Sequence, residues 1–354
     1  MKRLFDAVPV DSEAEERAWG VVREAFAARE PEARRRNWAG PATVLVAAAL
    51  LAAALSPPGR AVVNAVRRSI GIEGAQPALF RLPAAGRLLV SGGGGTWVVS
   101  ADGSTRRLGD YVQASWSPHA LFVVAATRNE LAAVEPATGR VHWQLARPLV
   151  RFPRWGGTRT DTRVAYLTDG RLHVVAGDGT GDRAVSSSRI PPVWQPGTSR
   201  HVLAYVDGRG RVRLAGGRFA SRAYEGARAL AWSPDGKTLA LAARGEVVLF
   251  AIATGRAHVL HVPGVRSLAF AADGRLAMVR GRSVIVDGRT LFVAPSRLAG
   301  IAWSPSGRWL LASLPLADQW VFVQTRGVRR VLAVSHIRRQ FGGEPSLDGW
   351  APGQ

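Results

Sequence analysis

The chain has 354 residues, 47% of them apolar, which is enough to bury a sizeable core and excludes general disorder. Its formal net charge is +21, carried almost wholly by arginine, since Lys2 and Lys237 are the only lysines; the arginines are spread between hydrophobic stretches rather than gathered on one element, which argues against a nucleic-acid partner. Cysteine is absent, so disulfides, thiolate zinc sites and cysteine nucleophiles are excluded.

The first predicted element is a helix over 11–30 (DSEAEERAWGVVREAFAARE), within an N-terminal segment 1–37. Asp11 or Ser12 caps it, acids fill its first turn and Pro31 ends it. Trp19, Val22 and Phe26 share one face, too small to fold alone, so this face is expected to pack on a partner, on a membrane surface or on another copy.

From Trp38 to Leu55 the chain reads WAGPATVLVAAALLAAAL, without a charge. At about 1.5 Å per residue this run is roughly 27 Å of helix, close to the hydrocarbon thickness of a bilayer. The expectation is a transmembrane helix over 38–56, stopped by Pro57-Pro58-Gly59. Arg34, Arg35 and Arg36 favour a cytoplasmic N-terminus, which places the rest of the chain outside the cytoplasm. Residues 57–77 read as a juxtamembrane linker, in which Val62, Val63, Val66 and Ile70 make one side of a short amphipathic helix over 60–70.

Beyond residue 77 a repeat dominates. Aromatic anchors followed by turn residues recur at Trp116, Trp155, Trp194, Trp232, Phe270 and Trp303, with successive spacings of 39, 39, 38, 38 and 33 residues. A looser copy begins near Phe80, where RLPAAGRLLV parallels SPDGKTLALA. Gly139, Gly179, Gly216, Gly255 and Gly327 follow their anchors by 22 to 24 residues and mark a second turn. Between the turns run short β-branched stretches such as Phe122-Val123-Val124, Val164-Ala165-Tyr166 and Leu239-Ala240-Leu241. Turn residues every 8 to 12 positions break the chain too often for paired helices. Four short strands in a unit of about 40 residues predict an all-β fold, a β-propeller of about seven four-stranded blades, with six or eight as alternatives.

The Trp-Ser-Pro-Asp-Gly-Lys segment at Trp232–Lys237 resembles the blade signature of the TolB-type, WD-repeat-like propellers. Trp303–Arg308 matches with Ser306 in place of Asp, and the copies at 116, 155, 194 and 270 match in part. There is no Trp-Asp dipeptide, a departure from true WD repeats. In this motif the aromatic residue is read as wedging between blades and Ser-Pro-Asp-Gly as a tight turn, so the anchors are structural. In the tail, Leu347-Asp348-Gly349-Trp350 repeats an anchor with no strands behind it, and the first unit is the weakest. A C-terminal strand completing the first blade of a propeller over 78–354 accounts for both. With the preceding helix and span, the layout resembles that of membrane-bound anti-sigma factors, although their His-x-x-x-Cys-x-x-Cys zinc motif cannot occur without cysteine.

No catalytic, nucleotide-binding or metal motif accompanies the repeats, and no cofactor is implied. Ser91-Gly92-Gly93-Gly94-Gly95 reads as a hairpin loop, because no helix follows it to make a phosphate cradle. Asp178-Gly179-Thr180-Gly181-Asp182 has too few acids for calcium. His258 and His261 read as ordinary histidines. The expectation is a membrane-anchored, extracytoplasmic, non-enzymatic binding or sensor module. It would take a protein, peptide or envelope glycan on its face and a cytoplasmic protein at residues 11–30. The alternative is an extracytoplasmic propeller hydrolase or lyase acting on an envelope substrate.

Overall fold

The computed structural model describes residues 72–76, 81–328 and 330–353. The expected helix at 11–30 with Trp19, Val22 and Phe26, the expected span at 38–56 and the segment 57–71 lie outside the described residues. Among the described residues no helix is long and apolar enough to cross a membrane.

The chain from residue 81 onward folds into seven antiparallel sheets, or blades. Blades 2 to 6 each take four consecutive strands, lying within residues 113–146, 151–187, 193–223, 229–260 and 265–293. Blade 7 takes its four antiparallel strands from residues 301–335. Blade 1 joins the two ends of the domain: Arg87–Gly92, Gly95–Ser100 and Thr105–Gly109 receive Ser346–Ala351 as their fourth strand. The innermost strand of every blade, Ser346–Ala351 in blade 1 and the first strand in the others, touches the innermost strands of the blades on either side. The sheets therefore form a closed ring, a seven-bladed β-propeller.

There is no single central core. The buried apolar residues fall into seven clusters among the described residues, one in each gap between neighbouring blades. Leu88, Val90, Trp320 and Phe322 fill the gap between blades 7 and 1, and Val124, Trp155, Val164 and Tyr166 that between blades 2 and 3. Because each sheet is covered on both faces, its second strand need not alternate: all four residues of Val123–Ala126 and of Leu203–Val206 are apolar and buried. The outermost strands lose this constraint, and Val141–Ala146 is exposed at every second position.

Two features differ from the sequence reading. Residues 72–76, expected to lie in a linker ahead of the propeller, form a fifth strand that pairs parallel with Val331–Ser335 on the outer edge of blade 7. A covered edge offers fewer unpaired backbone groups to other chains. A short helix, Ile337–Phe341, also sits between blade 7 and the closing strand, and its Phe341 stacks on Trp320 at 5.1 Å.

Candidate functional site

All seven sequence anchors lie on innermost strands. Trp116, Trp194, Trp232, Phe270 and Trp303 end theirs, Trp155 lies in Arg151–Gly157 and Trp350 in Ser346–Ala351. Each packs into the gap towards the preceding blade, Trp350 against blade 7. Three indoles also tie blades together by donating Nε1–H to the residue just before the preceding anchor. Trp194 reaches Arg154 O (2.9 Å), Trp232 reaches Val193 O (3.2 Å) and Trp303 reaches Ala269 O (3.0 Å). Phe270 has no such donor, and the buried Nε1 atoms of Trp116, Trp155 and Trp350 have no hydrogen-bond partner.

The turn after the anchor explains its Ser and Gly. Ser117, Ser233 and Ser304 each accept from the backbone N–H five residues on through their hydroxyl, at 2.9 to 3.0 Å. Gly236 N–H closes the turn on Ser233 O at 2.9 Å with φ of +66°, a conformation that glycine adopts without a Cβ penalty. The basic residue ending the motif has a role that sequence reading missed. Arg275 lies over the Trp303 ring (5.0 Å) and donates to Gly307 O (2.6 Å) in the next turn; Arg87 lies over Trp116 (4.9 Å) and donates to Ala120 O (2.5 Å). Gln195 makes the same reach to Gly236 O at 2.6 Å.

Trp155, Trp194, Trp232 and Phe270, from four successive blades, open onto a shared depression of about 380 Å³ on the face that carries these turns. Val193, Pro196, Pro234, Ala271 and Ala272 complete its apolar wall, and Arg154 is the one charged residue in it. In blade 3 the motif reads Trp-Gly-Gly because a methyl group on Gly156 would come within 2.1 Å of the Trp194 ring.

Arg154 is half-buried by accessible surface yet closely surrounded, and burial lowers its pKa. Among the described residues it makes no ion pair; its guanidinium donates to Pro153 O at 2.9 Å. The carboxyl that acts on it is Asp348, in the closing strand. Burial pushes Asp348 up to about 7, against the weaker opposing charge of Arg154, and neither Asp348 Oδ2 nor Ser91 Oγ has a hydrogen-bond partner.

Other candidate positions are occupied by structural roles. Gly94 is pressed against Phe341 O and Gly342, where a Cβ would lie 1.8 Å from the carbonyl oxygen, so the glycine run seats the short helix's end. Asp178 holds its own turn through Thr180, whereas Asp182 accepts from Arg147 (2.8 Å) and Tyr166 (2.8 Å) and lies 3.2 Å from His173 Nδ1. Burial pushes the Asp182 carboxyl up, but the bonds from Arg147, Tyr166 and His173 outweigh it and hold its pKa low. Asp161 of blade 3 meets His201 of blade 4 at 2.7 Å, and that contact lowers its pKa. His258 and His261 are exposed at the outer edge of blade 5. No group of three or more metal-ligating side chains occurs among the described residues.

No family model matches the chain, and no curated protein does. Solved structures do. The β-propeller domain of Cps50 (Swd1) from Myceliophteria thermophila superposes with a TM-score of 0.55 at 13% identity, over 66% of this chain and 92% of that one. KlHsv2 with its loop 6CD replaced by a Gly-Ser linker gives 0.55 at 10% identity, over 70% of this chain and 93% of that one. At such identities the likeness is one of fold: a WD-repeat-like, seven-bladed β-propeller.

Proposed function

We propose that this protein is a membrane-anchored, extracytoplasmic binding module whose propeller engages a protein or peptide at the depression around Trp155, Trp194, Trp232 and Phe270. The depression carries the reading: a concave apolar surface built from four blades, with rigid aromatic walls and one cation, is the surface type on which binding energy concentrates. The non-enzymatic reading is supported by the use of the anchors and turn acids in packing, hydrogen bonds and ion pairs between blades. Membrane anchoring rests on the uncharged run 38–55 and the arginines before it, and signalling to a cytoplasmic partner on the apolar face of Trp19, Val22 and Phe26.

Photo-crosslinking from membranes tests the binding surface. A crosslinking residue in place of Pro234 or Ala272 captures one shared partner, whereas one in place of Val141, on the outer edge of blade 2, does not. Equal capture from both regions rejects the depression as the site. Because the chain lacks cysteine, topology is read from single-cysteine variants: Leu316→Cys, 78% exposed, reacts with a membrane-impermeant thiol reagent in intact cells and Ser12→Cys does not. The reverse pattern rejects the extracytoplasmic placement.

A further inference from the structure

The depression contains an electrostatic anomaly that its apolar wall does not explain. Arg154 is half-buried and has no ion-pair partner among the described residues. A half-buried guanidinium without a counter-ion gains a charge-assisted bond when an anion reaches it. Asp348 does not supply that anion directly: the two make no ion pair among the described residues, and burial raises the Asp348 pKa, which disfavours its charged form.

Arg154 borders an aromatic and proline shelf. A ligand that suits both brings acceptor oxygens with negative charge on one side and an apolar ring on the other. Arg154 is the lone cation among the lining residues, which suits the single charge of a carboxylate better than a phosphate dianion. A volume of about 380 Å³ lies at the small end of ligand pockets and holds only a few side chains. The wider turn face favours the same sign, since Arg159, Arg200, Lys237 and Arg308 make no ion pair among the described residues, whereas Asp235 and Asp273 are held by their own turns and by Arg275 and Arg326.

The geometry points to a short acidic peptide segment as the ligand, its carboxylate on Arg154 and an adjacent aromatic or proline side chain on Trp194 and Trp232. This rests on the binding-module reading above and adds the chemistry of what is bound.

The test uses the full-length protein in detergent, labelled with 5-fluorotryptophan, and two probes: N-acetyl-Phe-Pro-Glu-amide and its neutral isostere N-acetyl-Phe-Pro-Gln-amide. The acidic probe is expected to bind at least tenfold more tightly and to move the fluorine signal of Trp194, assigned by its loss in Trp194→Phe. Arg154→Gln removes the preference, and Arg154→Lys keeps part of it and serves if the glutamine variant does not fold. Equal affinity of the two probes, or a preference that survives in Arg154→Gln, overturns the carboxylate assignment while leaving the depression as a binding surface. Failure of both probes to bind overturns the inference outright, and the crosslinking comparison then decides separately whether the surface takes any partner.

Discussion

Asp348 shows how one side chain ties the ring's closure to pH. Its pKa is raised to about 7 by burial, so the folded state holds a proton that the unfolded chain, with an ordinary aspartate near 3.8, releases. Its contribution to stability is therefore greatest below that ordinary value, declines as pH rises towards 7 and is flat above. Asp348→Asn should abolish this decline: a series of melting temperatures from pH 4 to 8 is expected to fall less steeply in the variant than in the wild type, and equal slopes would contradict the assignment. The indole donors offer a second contrast. Trp194→Phe deletes the bond to Arg154 O and strands a carbonyl, at a cost of about 1–2 kcal/mol, whereas Trp350→Phe removes an N–H that has no partner and should cost less. Thermal unfolding of the two variants side by side measures the difference.

At the scale of the element, the blade's inner hairpin was legible because its chemistry is local. An aromatic residue, a hydroxyl that accepts from the chain five residues on, and a glycine at positive φ all fall within a few positions, and Trp232–Lys237 shows them together. What was not legible depends on contacts between blades. Arg275 and Arg87 looked like two more arginines in an arginine-rich chain, and only the ring brings them over the next blade's tryptophan. Arg154 was hidden for the same reason, and Asp348 stood only as one residue of the terminal Leu347-Asp348-Gly349-Trp350 anchor segment. The strand at 72–76 was missed because IEGAQ has neither alternation nor an apolar run, and its partner lies far along the chain. Glycines separate in the same way. Gly274→Ala meets open space but at φ of +86°, for a cost of about 1–2 kcal/mol. Gly156→Ala forces a methyl group into the Trp194 ring, and overpacking of about 1–3 kcal/mol is expected together with loss of the depression's shape. Unfolding measurements on both, with tryptophan fluorescence as a report on the Trp194 environment, distinguish strain from clash.

For the whole molecule, burial is distributed over seven gaps between blades, so stability is close to a sum of neighbour interfaces, and a ring gains one more interface than an open row of the same blades. That last interface depends on the C-terminal strand, whose Trp350 packs in the gap between blades 7 and 1. The anchor spacing made the repeat visible, and the anchor without following strands at the C-terminus pointed to how the ring closes; both follow from periodicity, which sequence displays directly. Which polar groups the closed geometry leaves unmet, Asp348 among them, is something of which periodicity carries no record.

The closed ring is the claim on which the fold rests, and it requires the chain's end, with Asp348, to join blade 1. Ser91 of blade 1 lies opposite Ser346 of the closing strand in their antiparallel pairing. In this cysteine-free chain, Ser91→Cys combined with Ser346→Cys gives an unambiguous crosslink. The closed ring predicts rapid oxidation to an intramolecular disulfide in the native protein, lost when the protein is unfolded before oxidation; two thiols that stay free under native oxidation would contradict it.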